Sequence, residues 1–360
     1  MALKNLNKIL ESSPAEASAP CRIDLGGTLD LRTFHYPLTH LKPSTLNIAI
    51  DLRTNVRLLP YQDDMVKISS KGFESAEYPA GKAPYSHPMG LMFAIAGYFN
   101  ASGVHIKIAS SSPPRSALGG SSAAAVALAA AFSAILGKEN KIISRQHIAM
   151  LAHTIEETVA GVPCGMQDQL AAAYGGVNEW CWPAKIEGPP FIRNEVVRQV
   201  EYSDLEKHML IAYCGIPHES KSINGKWVSD FLEGRFRAEW ADIISITKKF
   251  IDSLSSGNYK DAALAMNIET EIRTRMTPDV LDETGKRLVK TAAENKCGAR
   301  FTGAGGGGCI WAIGEPADIG RLKNSWQEIL SEKKEGCLLI NRIDSDGLIV
   351  KSDRQISLSN

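Results

Sequence analysis

At 360 residues the chain exceeds the roughly 250–300 at which a single hydrophobic core stops growing, so two domains are expected. Apolar residues make up 44% and charged ones 22%, and 40 basic side chains balance 40 acidic ones, the make-up of an ordinary globular protein with no overall field to draw it to nucleic acid or a membrane. Seven dispersed cysteines without a CxxC pair argue against a disulfide frame or zinc site, and the N-terminus MALKNLNKILESS lacks a signal peptide's apolar run, so a cytoplasmic protein is expected.

In chain order, Cys21, Ile23 and Leu25 alternate with Arg22 and Asp24 at the period of a half-buried strand, which Gly26 and Gly27 end. Arg22 and Asp24 then share one face, either a solvated edge or the wall of a cleft. Residues 46–58 read as a long antiparallel strand or bent hairpin. Shorter strands follow at 66–70 and 104–112, with a helical pattern over 87–100 between them. The stretch SSSPPRSALGGSSAAAVALAAAF, residues 110–132, leads from the last of these strands through two prolines and two glycines into an alanine-rich helix. Gly119 and Gly120 can take positive φ and let a ligand approach the backbone, and the free N–H groups of the helix start would form an anion site. A flexible turn before a core helix fits the same local chemistry. Ala123–Leu136 is shorter than the roughly 20 residues needed to span a bilayer.

Further along, EETVAGVPCGMQDQLAAAYGGVN (156–178) reads as a turn entering a helix that ends near Tyr174, with Asp168 in its first turn. In the second half HMLIAYCGI is a buried strand, and helical patterns over 227–253 and 258–295 break near Thr277 and Pro278. CGARFTGAGGGGCIWAI (297–313) sets Gly305–Gly308 between two strand-like segments, and CLLINRI and GLIVKS supply late strands. Four consecutive glycines raise the entropy lost on folding and so point to a close backbone approach more than to packing. This mixture of helices and non-adjacent strands is an α+β pattern.

Three of these stretches together resemble the motifs of the GHMP kinases. Pro114-Arg-Ser-Ala-Leu-Gly-Gly-Ser-Ser-Ala123 is similar to the phosphate loop P-x-x-x-G-L-[GS]-S-S-A, except that Ala117 stands where the family has glycine. Residues 297–313 resemble the third motif, AGVPCGMQDQ resembles a galactokinase segment, and QDQLAAAYGGVN resembles the heptose-phosphate kinase and fucokinase branches. The loop is not a Walker A motif, since Gly120 precedes Ser121 where that motif needs lysine.

The resemblance implies a two-domain GHMP kinase fold of α+β class. Its N-terminal domain (1–200) would be like the second domain of ribosomal protein S5, and its C-terminal domain (201–360) ferredoxin-like, with ATP and acceptor between them. It implies Asp168 as the group that orients the acceptor hydroxyl and takes its proton, with Arg22 as its charge partner. Pro114, Ser116, Leu118, Gly119, Gly120, Ser121, Ser122 and Ala123 would hold ATP. Ser122 or Ser121, with Glu156 favoured over Glu157, would hold Mg2+. Asp24, Gly27, Asp30, Asp168, Gly305 and Gly306 would meet the substrate, although Asp30 falls one residue early for the pattern G-G-x-x-D. His218 and Lys221 are further candidates for contact with a sugar or its phosphate.

The expected activity is transfer of the ATP γ-phosphoryl group to a hydroxyl of a sugar or sugar phosphate. The anomeric hydroxyl of a heptose 7-phosphate, fucose or galactose-like sugar is favoured. The alternatives are a kinase for a non-sugar alcohol and a non-catalytic sugar and ATP sensor. The partner is then a small molecule, not nucleic acid or membrane, and the chain a monomer or homodimer.

Overall fold

The computed structural model describes residues 4–137, 142–161, 163–185, 187–217, 220–340, 342–351 and 357–359. His218 lies outside them, as does the side chain of Lys221. The first sheet is built from β1 (Ala15–Leu25), β2 (Ser44–Pro60), β3 (Met65–Ser70), β4 (Ala76–Pro79), β5 (Val104–Ser110), β6 (Val177–Cys181) and β7 (Ile192–Val197). Its order is β7-β6-β2-β5-β3-β4, and β1 runs antiparallel along the other edge of β2. The expected strand or bent hairpin over 46–58 is thus one long strand of 17 residues. Helices α1 (Gly90–Tyr98), α2 (Gly120–Leu136), α3 (Arg145–Ala160) and α4 (Gln167–Tyr174) accompany this sheet.

The alanine-rich α2 is buried along nearly its whole length. Small side chains let it lie against β1 and β2 on one side and α3 and α4 on the other. One core forms between the sheet and these helices, and a second on the opposite face. A bulge between Pro20 and Cys21 decides which residues of β1 see which core. Ala15, Ala17 and Ala19 face the first, whereas Cys21, Ile23 and Leu25 face the second. There the register skips Asp51 and Leu52 of β2, the faces of β1 exchange across the irregularity, and Arg22 points toward the helices.

The second sheet, of order β9-β10-β8-β11, consists of β8 (Met209–Tyr213), β9 (Gly298–Phe301), β10 (Cys309–Ile313) and β11 (Cys337–Leu339), all antiparallel. It shares cores with α5 (Ser220–Leu232), α6 (Arg237–Ser255), α7 (Tyr259–Met276), α8 (Glu283–Glu294) and α9 (Pro316–Ser331), and α6 also lies against β2 and β7 of the first sheet. The break near Thr277 is where α7 ends, followed by a short 3-10 turn at Pro278–Val280.

Two segments cross between the halves. The late strand β12 (Ile349–Lys351) returns to pair with β1. Leu29, Leu31, Phe34 and Leu38, which follow β1, are buried in the core formed by the C-terminal helices, with Phe34 against Phe231 and Trp240. The turn that ends β1 is therefore seated in the second half of the molecule.

Candidate active site

Gly119 precedes α2 with φ of 74°, a conformation that costs a side chain energy, and it offers no side-chain cap to the helix start. The first N–H groups of this 17-residue helix therefore open on the loop before them, where backbone dipoles favour an anion. Gly120 is already helical, so of the two glycines only Gly119 needs positive φ. The loop hangs on β1, because the Arg22 N–H donates to the carbonyl of Leu118 at 2.9 Å.

The side chain of Arg22 then reaches Asp168. Nε donates to Oδ1 at 2.7 Å and Nη2 to Oδ2 at 2.8 Å, a bidentate fork. Nη1 donates to the carbonyl of Ala117 at 2.7 Å and lies 3.6 Å from Asp24. Burial works against the guanidinium's charge, but Asp168 and Asp24 outweigh it and raise its pKa further. One residue thus ties the loop before α2 to a carboxylate in the first turn of α4.

Beside the helix start, the Glu156 carboxylate accepts from Ser122 at 3.0 Å, from Ser121 at 3.4 Å and from Gln169 Nε2 at 2.6 Å. Glu157 turns elsewhere, with His153 Nε2 at 4.0 Å. Burial pushes the Glu156 pKa up, and nearby Asp168 adds to that while the hydrogen bonds oppose it. No lysine or arginine pairs with Glu156 among the described residues. A half-buried carboxylate flanked by two hydroxyls is a hard oxygen set that lacks a positive charge, so these residues fit a magnesium ion.

Asp30 sits across from this group. Its Oδ2 accepts the N–H of Gln167 at 3.0 Å, at the N-terminus of α4, and a side chain on Gly165 would collide with its carboxylate. Burial raises its pKa to about 7, helped by Asp168 and Asp24 and opposed by the bond from Gln167. Its one-residue displacement from the expected pattern does not remove it from the site.

A cavity of about 810 Å³ joins these parts. The apolar part of its wall comes from Phe73, Met89, Met92, Ile108, Pro113 and Pro114. The polar part includes Arg22, Thr28, Asp30, Gln167, Asp168 and Asn224. Gly119–Ser122 and Glu156 also line it. Of the residues expected to hold ATP, Pro114 and Ser116 line the wall too, while Leu118 and Ala123 are buried beneath it. Asn224, on α5, carries a buried Oδ1 without a hydrogen-bond partner among the described residues. Phe73 carried no local sequence signal for a site, whereas Gln169 lies beside Asp168 in the QDQ segment and Asn224 ends the stretch YCGIPHESKSIN (213–224) that also holds His218 and Lys221.

Four expected substrate contacts are not in the wall. Asp24 has no exposed surface, since its carboxylate accepts the Gly303 N–H at 2.7 Å and pairs with Arg300 at 3.2 Å. Gly27 lies against the Asp24 carboxylate, and its carbonyl accepts from Arg273. Gly305 and Gly306 press on the turn at Pro278–Val280, where Gly306 N–H donates to the Val280 carbonyl at 2.9 Å. Gly303 and Ala304 line the cavity in their place.

The GHMP kinases N terminal domain matches residues 89–176, which hold the helix-start loop, Glu156 and Asp168, and the GHMP kinases C terminal domain matches residues 250–332. The chain carries both domains of the GHMP kinases. A mevalonate kinase of Thermococcus onnurineus is 26% identical over 330 residues, covering 82% of this chain and 88% of that protein. A D-glycero-alpha-D-manno-heptose 7-phosphate kinase of Campylobacter jejuni is 27% identical over 212 residues, covering 57% and 59%. The structure of Lactococcus lactis galactokinase complexed with galactose shares the fold, with a TM-score of 0.73 at 16% identity over 97% of this chain and 99% of that one. The expected two-domain α+β GHMP kinase fold is therefore present, and at family level the chain is an ATP-dependent kinase. Among the described residues no helix is long and apolar enough to cross a membrane.

Proposed function

We propose that the protein transfers the γ-phosphoryl group of ATP to a hydroxyl of a sugar or sugar phosphate. The anomeric hydroxyl is favoured by the sequence resemblance to heptose-phosphate kinases and fucokinases. One observation carries this reading: the Arg22–Asp168 fork stands in the same cavity wall as the helix-start loop and Asp30.

In this reading the backbone N–H groups from Gly119 to Ser122 hold the ATP phosphates, and the apolar wall receives the base. Asp168 accepts the acceptor proton as the new O–P bond forms and the bond to the ADP oxygen breaks, while Arg22 fixes the orientation of the Asp168 carboxylate. Glu156 with Ser122 and Ser121 would hold magnesium, which when bound neutralises charge on the phosphates. Asp30, Thr28 and the free Oδ1 of Asn224 offer hydrogen-bonding partners to several hydroxyls.

A second reading, a mevalonate-type alcohol as acceptor, has support in the 26% identity to the Thermococcus mevalonate kinase over most of the chain. An ADP-release screen over free hexoses, deoxyhexoses and heptoses, their phosphates, and mevalonate separates the two. Turnover of a sugar or sugar phosphate is the expected result, and turnover of mevalonate alone would overturn the sugar assignment.

A further inference from the structure

Behind the cavity lies a run of charged side chains that the proposed chemistry does not use. Asp24, Glu269, Arg273 and Arg300 have no exposed surface. From the Arg22–Asp168 fork the signs alternate along the run: Arg22 is 3.6 Å from Asp24, Asp24 3.2 Å from Arg300, Arg300 2.9 Å from Glu269, and Glu269 2.8 Å from Arg273. Arg273 ends the run by donating Nη2 to the Gly27 carbonyl at 2.6 Å and Nη1 to Thr28 Oγ1 at 3.3 Å. Its guanidinium lies 4.8 Å from the Trp227 ring and 5.0 Å from that of Trp240.

Burying so many charges is costly, and a buried ionic network is weak grounds for stability. What it supplies is fixed geometry, because each fork tolerates few arrangements. The Gly26–Leu31 turn has few bonds of its own. Leu29 N–H donates to the Gly26 carbonyl at 3.3 Å and Leu31 N–H to the Thr28 carbonyl at 3.0 Å. Its side chains anchor in the C-terminal helices, and its backbone is gripped by an arginine of α7.

We propose that Arg273 is a positioning residue for the acceptor, holding the Gly26–Asp30 turn so that Thr28 and Asp30 face the cavity at fixed depth. It touches neither substrate nor nucleotide and acts through the turn. Glu269 orients Arg273 and, through Arg300 and Asp24, connects the same grip to Arg22. This role rests on reading the Asp30 side of the cavity as the acceptor side.

Arg273→Lys keeps the charge and loses the fork, and Arg273→Met removes both. Amide hydrogen exchange, followed by mass spectrometry on the purified full chain, reads the grip without any acceptor. The expected result for Arg273→Lys is exchange about tenfold faster at Leu29 and Leu31, with residues 119–125 unchanged. With an acceptor sugar that the wild type turns over, its KM should rise about tenfold while the KM for ATP stays the same and kcat changes less than about threefold. Arg273→Met should go further in the same direction; should it fail to fold, the lysine variant decides alone. Unchanged exchange at Leu29 and Leu31, uniform acceleration through the chain, or equal rises in both KM values would overturn the proposal. Should no sugar turn over, the functional reading fails, while the exchange data still decide the grip of Arg273.

Discussion

The helix-start loop and the acceptor turn line one cavity but are held by different means. The loop is mostly self-supporting: Gly119 takes positive φ, α2 follows at once, and the N–H groups of that helix are set by its own hydrogen bonding. The acceptor turn borrows its shape. Its leucines and Phe34 sit among C-terminal helices, and its backbone is gripped by Arg273, which lies 246 positions from Gly27. In the proposed reading the loop meets the ATP phosphates, which every kinase of this kind must hold, so a local, self-contained cradle suits it. An acceptor differs between kinases, and a turn held from another domain can be reshaped without disturbing the cradle.

The Arg22–Asp168 fork joins the two regions, and breaking it should have the largest effect. Asp168→Asn keeps the shape and removes the charge and the proton acceptor. Loss of turnover by about 10³-fold is expected. Nucleotide affinity, read by titration with a fluorescent ADP analogue, should stay within about twofold, since the cradle is backbone. A matching loss of nucleotide affinity would mean that the two regions are not separable.

Within the cradle, Gly119→Val adds a β-branched side chain at φ of 74°, 3.3 Å from an Asp168 oxygen and 3.5 Å from Arg22 Cγ. Nucleotide affinity is expected to fall by about tenfold or more from backbone strain and crowding. Gly120→Ala, in a helical position with only Ser112 Oγ at 3.3 Å, should change it by less than about twofold. Equal losses from the two would show that the cradle does not depend on the left-handed residue.

For the acceptor turn, pH is the sharper probe. Asp30 has a folded pKa of about 7 against an ordinary value of 3.8, so the fold favours its protonated form. Its contribution to stability is fully present below about pH 4 and is lost as pH rises through about 7. Asp30→Asn should abolish that part of the pH dependence, so that the melting temperature of the wild type falls relative to the variant between pH 5 and pH 8. Ionised Asp30 accepts hydrogen bonds from hydroxyls, so the wild-type acceptor KM should fall as pH rises through about 7, and that step should vanish in the variant. A wild type and variant with parallel profiles would show that Asp30 titrates in its ordinary range.

The same contrast explains what could be read from the chain. The conformation of the helix-start loop was legible because its parts are contiguous: two prolines, Gly119, two serines and a run of helix formers carry their own conformational instructions. The strands and helices were legible for the same local reason. The partnership of Arg22 and Asp168 spans 146 positions and came from family resemblance, not from spacing. Asp24, Gly27, Gly305 and Gly306 were expected at the substrate because they stand beside motif residues. Their true surroundings lie far along the chain: Asp24 meets Arg300 and Gly303 at separations of 276 and 279. Glu269 and Arg273, spaced i, i+4, have the pattern of a surface helix pair, and no local signal marks them as fully buried.

The finest test of the cradle's independence is Ala117, the alanine that stands where the resembling loop has glycine. Its φ is 61°, left-handed, and a non-glycine residue there costs about 1–2 kcal/mol. Its carbonyl still accepts from Arg22, so the strain coincides with a bond that a glycine could make as well. Ala117→Gly removes the penalty but adds about 0.5–1 kcal/mol of unfolded-chain entropy. If the cradle is self-supporting, the net gain is below about 1 kcal/mol, seen as a rise in Tm of about 1–3 °C with unchanged nucleotide affinity. The alanine methyl also lies close to the third-motif loop, where a side chain on Gly308 would meet it at 2.9 Å. A fall in Tm would mean that this contact outweighs the backbone strain, and the cradle would then lean on the C-terminal half just as the acceptor turn does.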